Sequence, residues 1–411
     1  MSSGVEADIA LDAAVIASLG LVRVMGGTAG LAASGAGALA ALAEGRAEAA
    51  AQRIEELRRV EEAVGEVLDR NARIAALAES ARRHGVAIEL PPPLDVTSAS
   101  IGDMTAWAAK TDIDLVAAEG TVAASMASAM TGRIFDTATK SLRIASPSVD
   151  SGSGSEPRPA IEADLKRVLA RLLPDAAEAD RASVTQAAEV VMAAATPTEA
   201  DGLLSEVRLR IQKANERTRE RRNDRAAAAR FILELADHPS NLTVIDALRA
   251  VTEGTRPFDD ALRAEAARLL VEAQEGSERE YIAAALREAF GGLGYEIDEG
   301  FETLTARNGE AVITRGDWPQ HEVKVRIDGG RQVRMALLRT EPAEGDEQRR
   351  LDVEREEQWC ASFEVARERL ATAGVKADVR WRIEPGQQRL PVTRQRRSTQ
   401  LNRERRRERD R

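Results

Sequence analysis

Glu322-Val323-Lys324 is the stretch of this chain whose spacing best suits bond-breaking chemistry. In an extended strand, residues two apart share a face, so Glu322 and Lys324 would project together. A carboxylate beside an ammonium group suits metal-assisted hydrolysis, in which acids hold a divalent cation and a lysine sits near the attacking water. That chemistry needs a second carboxylate. Asp317 lies five residues upstream, in a Trp318-Pro319 turn, so Glu302 or Glu310 would have to substitute for it. The same residues also fit a plainer pattern. Glu322, Lys324 and Arg326 alternate with Val323, Val325 and Ile327, as on a strand with one wet face and one dry face.

The surrounding elements are what would position this set. A helix over 277–290 ends at Gly291-Gly292. Short alternating runs follow at 295–297, 301–306, 311–315, 321–327 and 332–340. Helix resumes over about 345–373, Gly374 stops it, and 377–384 reads as a last strand. This α–β–β–β–α–β order, with Glu322-Val323-Lys324 as its (D/E)-x-K element, resembles the core of restriction-endonuclease-like proteins. The resemblance covers residues 277–384 and implies a metal-dependent nuclease. Placing the nearest preceding acid in a turn departs from that pattern. Charge is also polarised: residues 294–310 hold five acids and one Arg, whereas 324–339 hold five basic residues and one Asp. Neighbouring strands of opposite sign would gain roughly 0.2–1 kcal/mol per cross-strand pair. A basic ligand-binding face is the sharper reading of the same asymmetry.

Other site chemistry is sparse. Cys360 is the single cysteine; it excludes an internal disulfide framework and fits a reducing, cytoplasmic compartment. As a nucleophile it would need His321 beside it. His84, His238 and His321 lie in three different regions and form no metal cluster. Gly291-Gly292-Leu293-Gly294 lacks the lysine of a phosphate-binding loop, and no G-x-G-x-x-G follows a strand. No metal and no cofactor are expected.

Polyanion binding has two candidate carriers. Asn215–Arg225 is polar all round and offers Arg217, Arg221, Arg222 and Arg225. Residues 394–411 hold nine arginines, among them Arg396, Arg397, Arg405, Arg406 and Arg407, against three acids, a net +6. The whole chain is −10, so its body is acidic, which argues against uniform nucleic-acid coating and leaves the tail free to bind polyanions. Neither carrier interleaves aromatic side chains for base stacking, so sequence reading is not expected.

The rest reads as helix. Aromatic content is 3%, and ten of the twelve aromatic residues follow position 230, which implies thin, Ala-rich helix packing before it. Residues 5–43 read as one or two helices. Their uncharged part is a weak membrane candidate, with Gly26 and Gly30 at small-xxx-small spacing; a soluble bundle is the favoured reading. Glu44–His84 carries Ile54, Leu57, Val64 and Leu68 at a/d spacing, a stripe for a helical hairpin or for association with a partner. Helices are expected over 101–110, 111–142, 160–173, about 197–237, 242–252 and 257–275. The expected fold is mainly α with a C-terminal α+β domain: helical bundle or coiled-coil regions, then an antiparallel meander packed on two helices. The expected divisions are a helical domain 1–145, a flexible Ser/Gly/Pro linker 146–159, a second helical region 160–276, the α+β domain 277–393 and a disordered Arg-rich tail 394–411. The function these features favour is a non-catalytic bacterial scaffold or adaptor that self-associates or binds a protein partner. Alternatives are a nucleic-acid-associated protein with or without nuclease activity, and a membrane-associated component built on residues 13–43.

Overall fold

The computed structural model describes residues 4–12, 15–16, 19, 47–145, 157–194, 196–236, 242–297, 310–328 and 332–393. Eight helices and six strands are present among them. In chain order they are β1 (Gly4–Leu11), α1 (Ala47–His84), α2 (Ile101–Ala145), α3 (Pro157–Leu169), α4 (Glu178–Met192), α5 (Pro197–Glu234), α6 (Leu242–Thr252) and α7 (Asp260–Gly291). There follow β2 (Tyr295–Ile297), β3 (Glu310–Arg315), β4 (His321–Asp328), β5 (Gln332–Arg339), α8 (Asp346–Thr372) and β6 (Val375–Arg382). Two compact units result: residues 59–267 form one, and β1 joins residues from 268 onward in the other. The fold is mainly α with an α+β domain whose strands are antiparallel.

In the helical unit, local signals set the helix ends. Ser100 and Asp103 cap each other at the start of α2: Asp103 N donates to Ser100 Oγ (3.1 Å) and Ser100 N to Asp103 Oδ2 (3.3 Å). Thr196 Oγ1 accepts from Glu199 N at the start of α5 (3.2 Å). Gly85, at φ 65°, terminates α1 in the left-handed region. Asn71 pins the Pro91–Pro93 connector onto α1, donating to Leu94 O (2.8 Å) and accepting from Leu94 N (3.0 Å). The core is narrow. Ile74, Leu77 and Ala81 of α1 meet Leu115, Ala118 and Val122 of α2. A second cluster joins Met126 and Met130 of α2 to Leu165 and Leu169 of α3, Val184 and Ala188 of α4, and Leu204 and Val207 of α5.

Two expected breaks are absent. α2 runs unbroken where helices over 101–110 and 111–142 were expected, because Lys110 and Thr111 offer no breaker and Thr111 is buried. α7 runs through Gly276, where a Cβ would meet nothing within 4 Å, so the residue costs only its helix propensity, about 1 kcal/mol.

The other unit is a six-stranded sheet of order β2-β3-β4-β5-β1-β6. Every strand pairs antiparallel with its neighbours. β2 to β5 form an antiparallel meander packed on the C-terminal part of α7 and on α8, and the further run expected at 301–306 lies outside the described residues. The expectation of helix from residue 5 is corrected over Gly4–Leu11. Val5, Ala7 and Ile9 alternate with Glu6 and Asp8, a period of two, and the strand fills the slot between β5 and β6. The inward face holds Val5, Ile9, Ile313, Val323, Val325, Ile327, Met335 and Leu337. Above it stands an aromatic cluster in which Phe290 stacks on Trp359 (5.3 Å between centroids) and Tyr295 meets Trp318 edge-on (5.6 Å).

Candidate functional site

The outward face of the sheet carries the residues with the best claim to chemistry. Along β4, Glu322, Lys324 and Arg326 point away from the helices, while Val323, Val325 and Ile327 are buried. Glu322 and Lys324 therefore share a face, as their spacing requires. The cross-strand register decides what meets them. Glu310 of β3 lies opposite Arg326, and Thr314 lies opposite Glu322. The two backbone positions are thus offset by four residues, roughly 13 Å along the strand. One divalent cation binds oxygen ligands at about 2–2.6 Å, and this register does not bring Glu310 and Glu322 side by side to share it.

Each of these groups also has a structural partner. Lys324 Nζ pairs with Glu310. Arg326 Nε pairs with Asp328 (2.6 Å), and Arg334 with Glu6 (3.4 Å) across the β5–β1 boundary. Of the acidic segment 294–310, Glu310 thus meets the basic strand across the sheet, pairing with Lys324 and lying 3.9 Å from Arg326. Glu322 accepts from Thr393 Oγ1. Thr393 is fixed in turn: its amide donates to Arg339 O (2.8 Å), and Arg339 N donates to Pro391 O (2.9 Å). The segment at 391–393 thereby takes the part of the β5 edge that β1 leaves open beyond Gly4. Glu302 lies outside the described residues. Among the described residues, no three His, Cys, Asp or Glu side chains are grouped to hold a metal ion.

On the inward face, His321 continues the buried parity of β4. Its Nε2 lies 2.8 Å from Asp352 Oδ1 on α8, and Arg339 Nη1 donates to the same oxygen at 2.6 Å. Arg339 also donates to Glu341 O (2.9 Å) and Gln320 Oε1 (3.0 Å). Its side chain is 1% exposed. Burial pushes His321 below the ordinary histidine value, against the pull of Asp352. The neutral ring then donates from Nε2 to the carboxylate. Sequence reading missed this triad, although the parity of His321 with Val323 and Val325 marked it as inward. Cys360 is half-buried, and burial raises its thiol above the usual value, away from thiolate chemistry.

The arginines of α5 are mostly committed within the helical unit. Arg217 holds Asp180 through Nε (3.0 Å) and Nη2 (2.5 Å). Arg221 donates to Thr218 Oγ1 (2.9 Å) and lies 3.7 Å from Asp180. Arg222 grips Asp175 with two bonds (2.8 and 2.6 Å) and reaches Glu119 of α2 (2.9 Å). Arg225 is half-buried against Gly254, whose φ of 76° and missing Cβ make room for the guanidinium; burial lowers its pKa. A helix that reads as a solvated basic surface is thus partly a set of bolts to its neighbours. Arg396, Arg397, Arg405, Arg406 and Arg407 lie outside the described residues.

The stripe on α1 is likewise used internally. Leu57, Val64 and Leu68 are buried and Ile54 is half-buried. Among the described residues, the two most exposed large apolar side chains stand on α2, Ile113 at 73% and Val116 at 65%. Among the described residues, α2 is the one helix long and apolar enough to cross a membrane. Its Asp112 and Glu119 are paired with Arg70, Arg73 and Arg222 from adjacent helices. Most of the residues 13–43 read as a membrane candidate lie outside the described residues. No family model, curated protein or solved structure matches this chain.

Proposed function

We propose that this chain is a non-catalytic assembly protein: its helical unit self-associates, and its α+β domain is offered to a second protein. The observation that carries the reading is the offset of Glu310 from Glu322. Roughly 13 Å of strand separates the backbone positions of the two glutamates that a (D/E)-x-K centre would need together. Glu310 instead neutralises Lys324, and Glu322 anchors Thr393. Large apolar side chains standing in water on α2 are the mark of a protein-binding surface.

Incubation of the full chain with single- and double-stranded DNA and RNA, in Mg²⁺ or Mn²⁺, tests the non-catalytic part. No cleavage is expected. Metal-dependent cleavage that disappears in Lys324→Ala would overturn the proposal.

A second reading, polyanion binding, rests on the net +6 of residues 394–411, which follow directly from the Thr393 anchor. Deleting 394–411 should then remove DNA binding, and rising salt should weaken it with a log–log slope near −5 for about six phosphates. Binding unchanged by the deletion would sink that idea.

A further inference from the structure

Arg339 belongs to two sets of contacts at once. It is the last residue of β5 and lies directly opposite His321 of β4. Its guanidinium and the His321 ring both reach the same oxygen of Asp352, at 2.6 and 2.8 Å. Its backbone serves a different neighbour. Arg339 N donates to Pro391 O (2.9 Å) and Thr393 N donates to Arg339 O (2.8 Å), so residues 390–393 lie along the end of β5 as a strap. Leu390 is the apolar anchor of the strap, 7% exposed and part of the sheet core. Thr393 Oγ1 donates to Glu322 on the outward face. Residues 394–411, with their nine arginines, follow directly.

The triad is balanced for one protonation state. With His321 neutral, Asp352 offsets the charge of Arg339, and Glu341 O and Gln320 Oε1 accept its remaining bonds. The charged groups that face the ring are Asp352 and Arg355 of α8 and Arg339 of β5. A proton on His321 would set two full cations against one carboxylate oxygen, with Arg355 adding a third. The side chains of His321 and Arg339 are each 1% exposed, so that excess charge would stand out of reach of water. An uncompensated buried charge is costly, and the corner must open to admit the proton. β4 is paired with β5 along all its eight residues, whereas the strap is held to Arg339 by two backbone bonds. We infer that protonation of His321 releases the strap 390–393 from β5, with Arg339 as the link between them. The fold thus carries a pH-sensitive hold on the chain just ahead of its basic tail. Burial keeps His321 below its ordinary value of 6.5 in the closed corner, and opening restores that value. The open form therefore gains the proton first, and its share grows as pH falls below 6.5. Between pH 7.5 and 5.5 the gain is at most about tenfold.

Amide exchange of the full chain at pH 7.5 and 5.5, corrected for its intrinsic pH dependence, tests this. The Arg339 and Thr393 amides donate the two backbone bonds of the strap. They should lose protection several-fold at pH 5.5, while the Val323 and Val325 amides inside β4 keep theirs. The midpoint of that loss should coincide with the titration of the His321 ring followed by NMR in the same unmodified chain. His321→Gln stays neutral at both pH values and should abolish the loss at Arg339 and Thr393. Strap amides indifferent to pH would overturn the inference, as would a loss that persists in His321→Gln or that tracks a different titration. An equal loss at Val323 and Val325 would overturn it too, because the sheet would then be opening as a whole.

Discussion

The two units of this chain stabilise their interiors by different means. The sheet unit uses volume: Phe290, Tyr295, Trp318, Trp359 and Phe363 fill the space between strands and helices. One buried ionic group, His321–Asp352–Arg339, ties the end of the sheet to α8. The helical unit buries aliphatic and sulfur side chains rather than aromatic ones, with Leu77, Leu115, Met126, Met130 and Leu165 set among Ala and Val. It adds arginine bridges between helices: Arg222 to Asp175 and Glu119, Arg70 and Arg73 to Asp112, and Arg217 to Asp180. Each buried Leu or Met takes less apolar area out of water than a Phe or Trp, so it gains less. Charged links between helices then set register as well as stability. The difference also explains why α2 can keep Ile113 and Val116 outside: its inward side is already committed.

Substitutions can break this contrast. The largest losses, about 3–5 kcal/mol in urea titrations, are expected for Trp359→Ala through cavity formation in the sheet unit. Asp352→Ala should cost a similar amount by stranding Arg339 without its carboxylate. Arg222→Ala is the corresponding test of the helical unit. It leaves Asp175 and Glu119, 11% and 16% exposed, without their shared cation. A loss near 3 kcal/mol is expected. A loss under about 1 kcal/mol would place Arg222 with surface pairs and end the comparison.

Smaller effects sharpen it. His321 binds fewer protons folded than unfolded just below its ordinary pKa of 6.5, because burial lowers it. Stability should therefore fall as pH drops through that window and recover above it. His84 is lowered in the same direction, chiefly by burial, and adds to the slope. In His321→Gln the slope should diminish; a slope unchanged by that substitution would remove His321 as its source. The smallest effect is expected for Lys324→Ala, about 1 kcal/mol or less, since Lys324 and Glu310 are 37% and 46% exposed.

Much of this architecture is written in local pattern. The α1 stripe, the Thr196 cap, the meander and the wet face of β4 follow from spacing and capping alone. What escaped was set by distant partners. The alternation in Gly4–Leu11 is legible, yet nothing local says that its partners lie more than 300 residues away at β5 and β6. The arginines of α5 look solvated because Asp175, Asp180 and Glu119 approach only after folding. Glu310 looked able to stand beside Glu322 as a second carboxylate until the strand register offset them by four residues. Leu57, Val64 and Leu68 read as an association stripe because sequence marks a residue as apolar without saying which surface covers it.

The most direct test of assembly is the mass of the full chain by sedimentation equilibrium, followed across protein concentration. A species of at least twice the 44.3 kDa chain is expected at tens of micromolar. A mass of 44.3 kDa at every concentration would contradict it.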